Sequence, residues 1–177
     1  MIKKFILICL LMSFGISYAE PLNDYVDSLH EQNKAAAWIT DNNEKLTDNK
    51  ALAITRDVYA HSFSKSLNPH LVLAIIRVES NFQENARSSY GAKGIMQVVP
   101  RFHKDKLVGR NPYNTYVSTE VGTTILEDCN RKSNGKLFKT LQCYSGGGGI
   151  KYLKKVQKYQ YELAQSLKPR DTQLAMK

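Results

Sequence analysis

One carboxylic acid in this sequence lies where a protonated side chain is expected. Glu79 follows residues 71–78, in which every position except Arg77 is apolar. A helix that is apolar on nearly all sides is a buried helix. Burial raises a carboxyl pKa because it disfavours the charged form, and the negative end of the helix dipole acts in the same direction. A carboxylic acid that stays protonated near neutral pH could serve as a general acid, whereas a glutamate at a helix end is by itself most often a solvated surface residue.

Three short motifs occur in order along the chain. Residues 79–82 read E-S-N-F, residues 91–100 read G-A-K-G-I-M-Q-V-V-P, and residues 143–147 read C-Y-S-G-G. Together they resemble the soluble lytic transglycosylase (SLT) domain family, whose motifs read E-S-x-F, G-A-x-G-L-M-Q and A-Y-N-x-G. The spacing from the acid to Gln97 also fits. The resemblance covers roughly residues 51–161, and the ordered motifs at matching spacing make it specific.

The resemblance implies an all-α, lysozyme-like transglycosylase fold of the goose-lysozyme type, with a groove for the glycan strands of bacterial peptidoglycan. Carried over by position, Glu79 would be the single catalytic acid and base. Ser88 and Gln97 would hydrogen-bond near Glu79 and hold the substrate sugar, Met96 would line the groove, and Tyr144 would place its phenol near the Glu79 carboxyl. For three of these residues an alternative interpretation stays open. Met96 would be a core residue that fills a gap, Ser88 would be a loop residue, and Tyr144 would be a packed ring with a solvated hydroxyl.

The number of carboxylates bears on the mechanism. Most glycosidases use two, but only Glu79 falls in a catalytic motif of the family, and we expect Glu84, Asp105 and Glu120 in surface stretches. The resemblance implies that the acetamido group of N-acetylmuramic acid (MurNAc) assists cleavage of its bond to N-acetylglucosamine (GlcNAc). The sugar's own C6 hydroxyl then closes a 1,6-anhydro-MurNAc end. A lysozyme-like hydrolase that uses water and a peptidoglycan-binding module without catalysis are the alternatives.

The third motif departs from the family pattern at three positions. Cys143 and Ser145 stand where alanine and asparagine are usual, and Gly148 stands where proline is frequent. Serine is shorter than asparagine, which leaves the substrate contacts at this position open. The glycines at residues 146–149 would let backbone amides approach a glycan closely, or they would form a flexible connector.

Residues 1–19 have the pattern of a secretory signal peptide. Two lysines precede an apolar run over residues 5–12, and residues 17–19, Ser-Tyr-Ala, supply a small-x-small cleavage site after Ala19. The run is shorter than the ~20 apolar residues that a membrane span needs, which disfavours an uncleaved anchor. The sequence therefore predicts an exported protein, periplasmic or extracellular.

The cysteines agree with export. Cys9 lies in the signal peptide, and Cys129 and Cys143 remain in the mature chain. An even pair in an exported chain predicts a disulfide, with two buried thiols as the alternative. The four histidines are scattered and no metal-binding motif occurs. We therefore expect no metal and no cofactor.

The composition is that of a globular protein. The chain has 177 residues, of which 42% are hydrophobic and 23% charged, and a net charge of +9. Wholesale disorder is excluded, and the positive charge favours an anionic partner. Export and the lack of a nucleic-acid-binding motif disfavour nucleic acid, so we expect peptidoglycan glycan strands as the partner. The small size also resembles the specialised enzymes of cell-envelope secretion or conjugation machines.

Helices must position these residues. Apolar periodicity predicts a predominantly helical chain without a convincing strand, and Asn68-Pro69 is a favourable start for the helix that ends at Glu79. Further helices are predicted over residues 48–66 and 117–129, from Leu137, and from Ile150. The predicted domain plan is a signal peptide over residues 1–19, an N-terminal helical extension over residues 20–50, an SLT-like catalytic domain over residues 51–161, and a polar tail over residues 162–177.

Overall fold

The computed structural model describes residues 19–168. Within them the chain forms six α-helices and no strand, with only two isolated bridges, so the predicted all-α fold is confirmed. The predicted signal peptide lies outside the described residues except for Ala19. The helices are α1 Ala19–Asn42, α2 Asp48–Phe63, α3 Pro69–Ser80, α4 Thr115–Lys132, α5 Leu137–Tyr144 and α6 Ile150–Leu167, with short 3₁₀ helices at Pro100–Phe102 and Asp105–Leu107.

The chain divides into two compact units between Glu31 and Gln32. In the first unit, the described residues belong to the first half of α1, and the apolar side chains of Tyr25 and Val26 are exposed. The second unit contains the rest of α1, which buries Trp38 in the core, and the other five helices. None of the described helices is apolar over a sufficient length to cross a membrane.

α3 is the central helix of the second unit. The Asn68 side chain accepts hydrogen bonds from the backbone nitrogens of His70 at 2.8 Å and Leu71 at 3.2 Å, and Pro69 occupies the first turn. The predicted helix start is therefore confirmed, since these bonds satisfy donors that have no partner within the helix. Residues 72–76 are completely buried. α3 packs against α2 and α6, while α4 packs against α2 and α5.

The sharp end of α3 fixes the position of Glu79. Asn81 adopts the left-handed conformation with φ of 49°, which turns the chain away from the helix axis. The next residue, Phe82, is completely buried. Ser80 Oγ donates a hydrogen bond of 2.8 Å to the carbonyl oxygen of Ile95. The helix end that carries Glu79 is thereby tied to the loop that follows it.

This loop, residues 81–99, lies close against α4 at two glycines. Gly94 has φ of 75°, and a Cβ there would lie 2.7 Å from Ser118 Oγ. A Cβ at Gly122 would lie 2.5 Å from Met96 Sδ. Because side chains would separate the loop from the helix at these points, the two glycines allow the second motif to approach α4.

α6 continues past residue 161, where the sequence placed the end of the catalytic domain. It runs to Leu167 because Leu163 is completely buried in the core. Lys34 Nζ also donates a hydrogen bond of 3.1 Å to the carbonyl oxygen of Leu167. The last turns of α6 are therefore attached to the second unit. The rest of the predicted tail, residues 169–177, lies outside the described residues.

Candidate active site

A groove of about 1130 Å³ brings the three sequence motifs together. The end of α3 contributes Glu79, the loop of residues 81–99 contributes Ser88 and Gln97, and the end of α5 contributes Tyr144. Residues from the 3₁₀ helices, from α4 and from the start of α6 complete the lining. A cavity of this size with convergent polar groups is the usual form of a ligand site.

Glu79 is the acid in this groove, and burial raises the pKa of its carboxyl above the usual value. A hydrogen bond from the Tyr152 hydroxyl partly opposes this effect, because it stabilises the charged form. The direction of the pKa shift agrees with the prediction from the apolar sequence before Glu79. A groove-lining carboxyl with a raised pKa keeps its proton to higher pH, which suits it to proton donation.

Tyr152 is the residue that the sequence interpretation missed. It lies in the first turn of α6, lines the groove, and donates a hydrogen bond of 2.5 Å from its hydroxyl to Glu79 Oε1. The signal that could have found it is helical spacing: Tyr152 precedes the buried Val156 by four residues and the buried Leu163 by eleven. That spacing directs the Tyr152 ring inward from α6.

Tyr144 lies in the same groove but makes a different hydrogen bond. Its hydroxyl donates to the carbonyl oxygen of Met96 at 2.8 Å. Burial raises the pKa of the Tyr144 phenol, and the negative charge of Glu79 raises it further. The Tyr144 phenol is thus close enough to Glu79 for electrostatic interaction, and its raised pKa keeps it neutral. The hydrogen bond to the Glu79 carboxyl itself comes from Tyr152.

Gln97 and Ser88 line the groove and also hold the shape of its loop. Gln97 has φ of 49°, and its Nε2 donates to the carbonyl oxygens of Gly94 at 2.9 Å and Ala86 at 3.1 Å. Ser88 Oγ accepts a hydrogen bond of 3.0 Å from the backbone nitrogen of Ala92. Both side chains therefore have defined orientations before any sugar binds. Their predicted contacts with substrate stay predictions.

The Met96 side chain lies behind the groove rather than on its surface. It is 1% exposed and packs against Gly122 of α4. Its backbone nitrogen donates to Ser118 Oγ at 3.1 Å, and its carbonyl oxygen accepts the Tyr144 hydrogen bond. This placement does not support the predicted substrate contact. It supports the alternative interpretation of Met96 as a core residue, with a backbone that joins the second motif to the third.

The other carboxylates of the groove have cationic partners. Asp105 lies 3.1 Å from Lys106 Nζ, and the hydrogen bond from that lysine lowers the pKa of the exposed Asp105 carboxyl. Asp128 lies 2.7 Å from Arg131. Among the described residues that line the groove, Glu79 is therefore the one carboxylate without a basic partner within salt-bridge distance.

Comparison with known proteins identifies the family. Residues 59–167, more than half of the chain, match the family described as the transglycosylase SLT domain. The chain belongs to this family. The SLT domain is lysozyme-like and all-α, and at the level of the family it is a peptidoglycan lytic transglycosylase domain. The resemblance drawn from the three motifs is thus confirmed.

A disulfide lies in the wall of the groove of this SLT domain. Cys129 of α4 and Cys143 of α5 are bonded with their Cα atoms 5.7 Å apart, which confirms the predicted pairing. Both residues line the groove. Since Cys143 precedes Tyr144 directly, the cysteine that departs from the SLT motif anchors the third motif to α4.

Ser145, at the usual asparagine position of the SLT motif, ends α5. Its Oγ donates to the carbonyl oxygen of Leu141 at 2.7 Å and accepts from the backbone nitrogen of Gly148 at 2.8 Å. These bonds fold the glycine-rich turn back onto the end of the helix. Gly146 and Gly148 line the groove, so the turn forms part of the site.

Proposed function

We propose that this protein is a lytic transglycosylase that cleaves the MurNAc–GlcNAc bond of peptidoglycan and leaves 1,6-anhydro-MurNAc ends. The observation that carries the proposal is the state of Glu79, a buried carboxyl in the groove whose pKa is raised. The neighbouring Asp105 and Asp128 are ion-paired. Because every other carboxylate among the described residues of the groove has a basic partner, we expect the nucleophile to come from the substrate rather than from a second protein carboxylate.

In the proposed first step, Glu79 donates its proton to the glycosidic oxygen as the bond from that oxygen to C1 of MurNAc breaks. The acetamido oxygen of the same sugar forms a bond to C1 and takes up the developing positive charge. The Glu79 carboxylate then accepts the proton of the C6 hydroxyl, whose oxygen attacks C1 and displaces the acetamido oxygen. Glu79 ends protonated, and no water is consumed.

The two tyrosines have different parts in this mechanism. Tyr152 donates a hydrogen bond to Glu79 Oε1, which orients the carboxyl and stabilises its ionised form between the two proton transfers. Tyr144 holds the carbonyl of Met96 and thereby the loop that carries Gln97. Ser88 and Gln97 then contact the sugar from fixed orientations.

We further propose that the protein acts outside the cytoplasm. The disulfide between Cys129 and Cys143 supports this location, because structural disulfides persist in oxidising compartments. Cleavage after Ala19 predicts that the exported chain begins at Glu20, which N-terminal sequencing would test. Association with a secretion or conjugation machine stays a prediction.

The Glu79→Gln variant tests whether this groove is catalytic. Glutamine keeps the shape and polarity of the side chain but cannot donate and recover a proton. Release of soluble muropeptides from purified sacculi should fall by about 10²–10⁴-fold, while sacculus binding persists. The control is Glu84→Gln, since Glu84 forms an ion pair with Lys50 and does not line the groove. Normal release by Glu79→Gln would refute the assignment, and binding without release by the wild type would favour a binding module.

A further inference from the structure

An exposed arginine lies against two exposed aromatic rings at the rim of the groove. Arg101 Cζ is 3.8 Å from the ring centroid of Tyr90 and 4.8 Å from that of Phe102. Tyr90 and Phe102 are each 61% exposed, and both line the groove that contains Glu79. These three residues are called the aromatic rim below.

The Arg101 guanidinium has no carboxylate partner among the described residues. In the part of the chain that the structure describes, no carboxylate lies within salt-bridge distance of its guanidinium, whereas the nearby Lys106 pairs with Asp105. Contact with the two rings restricts the position of the guanidinium and leaves its N–H groups available for hydrogen bonds. The aromatic rim therefore presents an oriented, unpaired cation at the mouth of the groove.

A planar guanidinium held in this way fits a carboxylate. The two groups form paired, charge-assisted hydrogen bonds, which makes arginine more selective than lysine for this geometry. Exposed aromatic rings beside the cation add apolar surface for a sugar face or a peptide side chain.

We propose that the aromatic rim binds a carboxylate that the glycan strand carries, so that this protein prefers carboxylate-bearing strands to neutral ones. The inference rests on the proposed peptidoglycan substrate. Peptidoglycan offers this chemistry from two sources: the carboxylates of the peptide stems, and the lactyl carboxylate of MurNAc, which is free where the peptide has been removed. Arg101 supplies the hydrogen bonds, and Tyr90 and Phe102 orient it.

Equilibrium binding to three ligands tests this inference in the Glu79→Gln background, which avoids turnover. The ligands are glycan fragments with peptide stems, the same fragments after amidase treatment, which carry only lactyl carboxylates, and GlcNAc oligomers of equal length, which carry none. Addition of Arg101→Gln should weaken binding of a carboxylate-bearing ligand by about tenfold to a hundredfold. It should leave the affinity for the GlcNAc oligomers unchanged.

Two further variants separate charge from geometry. Arg101→Lys keeps the charge but loses the planar fork, so its affinity should fall between those of the parent and Arg101→Gln. Arg56→Gln is the matched control, because Arg56 is exposed on α2 and does not line the groove. It should change none of the three affinities.

The pattern of losses decides between the outcomes. A loss confined to stem-bearing fragments identifies a peptide carboxylate, and a loss confined to amidase-treated fragments identifies the lactyl carboxylate. Equal weakening of all three ligands, or no change with Arg101→Gln while the parent binds normally, overturns the inference and leaves the proposed function intact. If the parent binds none of the peptidoglycan fragments, the proposed function fails and the inference fails with it.

Discussion

The hydroxyl of Tyr152 donates a hydrogen bond of 2.5 Å to Oε1 of Glu79, although 73 residues separate the two in the sequence. The packing of α6 against α3 brings them together. Burial raises the pKa of the Glu79 carboxyl, and this hydrogen bond lowers it. Two opposing effects therefore act on the pKa of Glu79, which suits this carboxyl both to release and to regain a proton.

Tyr152→Phe should raise the pKa of Glu79, because it removes the hydrogen bond that lowers that pKa. Glu79 must be protonated when the reaction starts, so kcat/KM should fall as pH rises through its pKa. This fall in kcat/KM is the descending limb of the pH profile, and in Tyr152→Phe it should move to higher pH. The maximal rate should also fall by about tenfold, because the carboxyl is less well oriented. The measurement is the pH profile of muropeptide release.

Tyr144→Phe is the matched control for that profile. The Tyr144 hydroxyl donates to the Met96 carbonyl and not to Glu79. Its loss should lower activity less than Glu79→Gln does and should leave the descending limb in place. An equal shift in both variants, or none in Tyr152→Phe, would show that the Tyr152 hydrogen bond does not control the protonation of Glu79.

Glu79→Gln should become more stable relative to the wild type as pH rises. The folded-state pKa of Glu79 is raised, so its favourable contribution is complete below the unfolded carboxyl pKa of about 4.3 and is lost as pH rises through the folded-state pKa. Glutamine does not titrate. The Tm of the variant minus that of the wild type should therefore increase across this pH range and then level off.

Asp105→Asn should show the opposite trend, with a small amplitude. A hydrogen bond from Lys106 lowers the pKa of the Asp105 carboxyl, which is largely exposed. Its favourable contribution is present above the unfolded pKa and is lost as pH falls through the folded-state pKa. A Tm difference for Glu79→Gln that stays constant with pH would contradict the raised pKa of Glu79.

The disulfide should stabilise the mature protein by about 3 kcal/mol, because it closes a loop of roughly 15 residues in the unfolded chain. The double variant Cys129→Ser/Cys143→Ser should lower the free energy of unfolding by about this amount in denaturant titrations. Thiol labelling of the exported, denatured, unreduced wild type should find neither cysteine free. Two labelled cysteines, or equal unfolding free energies for variant and wild type, would be inconsistent with a structural disulfide.

The start of α3 and the burial of its residues could be predicted from rules that act between neighbouring residues. Asn68 and Pro69 mark the start of α3 through capping and proline geometry, which act over adjacent residues. The apolar run before Glu79 indicated a buried acid because every position of residues 71–78 except Arg77 is apolar. Both features follow from chemistry within a few residues of each site.

The parts of the site that depend on packing were not predictable in this way. Helical spacing places Tyr152 on the inward side of α6, but its contact with Glu79 depends on the packing of α6 against α3, which the spacing does not specify. Met96 faces α4 because Gly122 leaves room for its side chain. Such contacts depend on the mutual approach of distant segments, which the motifs alone do not specify.

The mass of the products tests the central claim most directly. Purified peptidoglycan is digested with the wild-type protein and, in parallel, with a lysozyme, and the muropeptides are compared by mass spectrometry. If Glu79 uses the C6 hydroxyl of the substrate, each new MurNAc end is a 1,6-anhydro sugar, one water molecule lighter than the lysozyme product and resistant to borohydride reduction. Reducible MurNAc ends of the same mass as the lysozyme products would contradict the transglycosylase mechanism and identify a hydrolase.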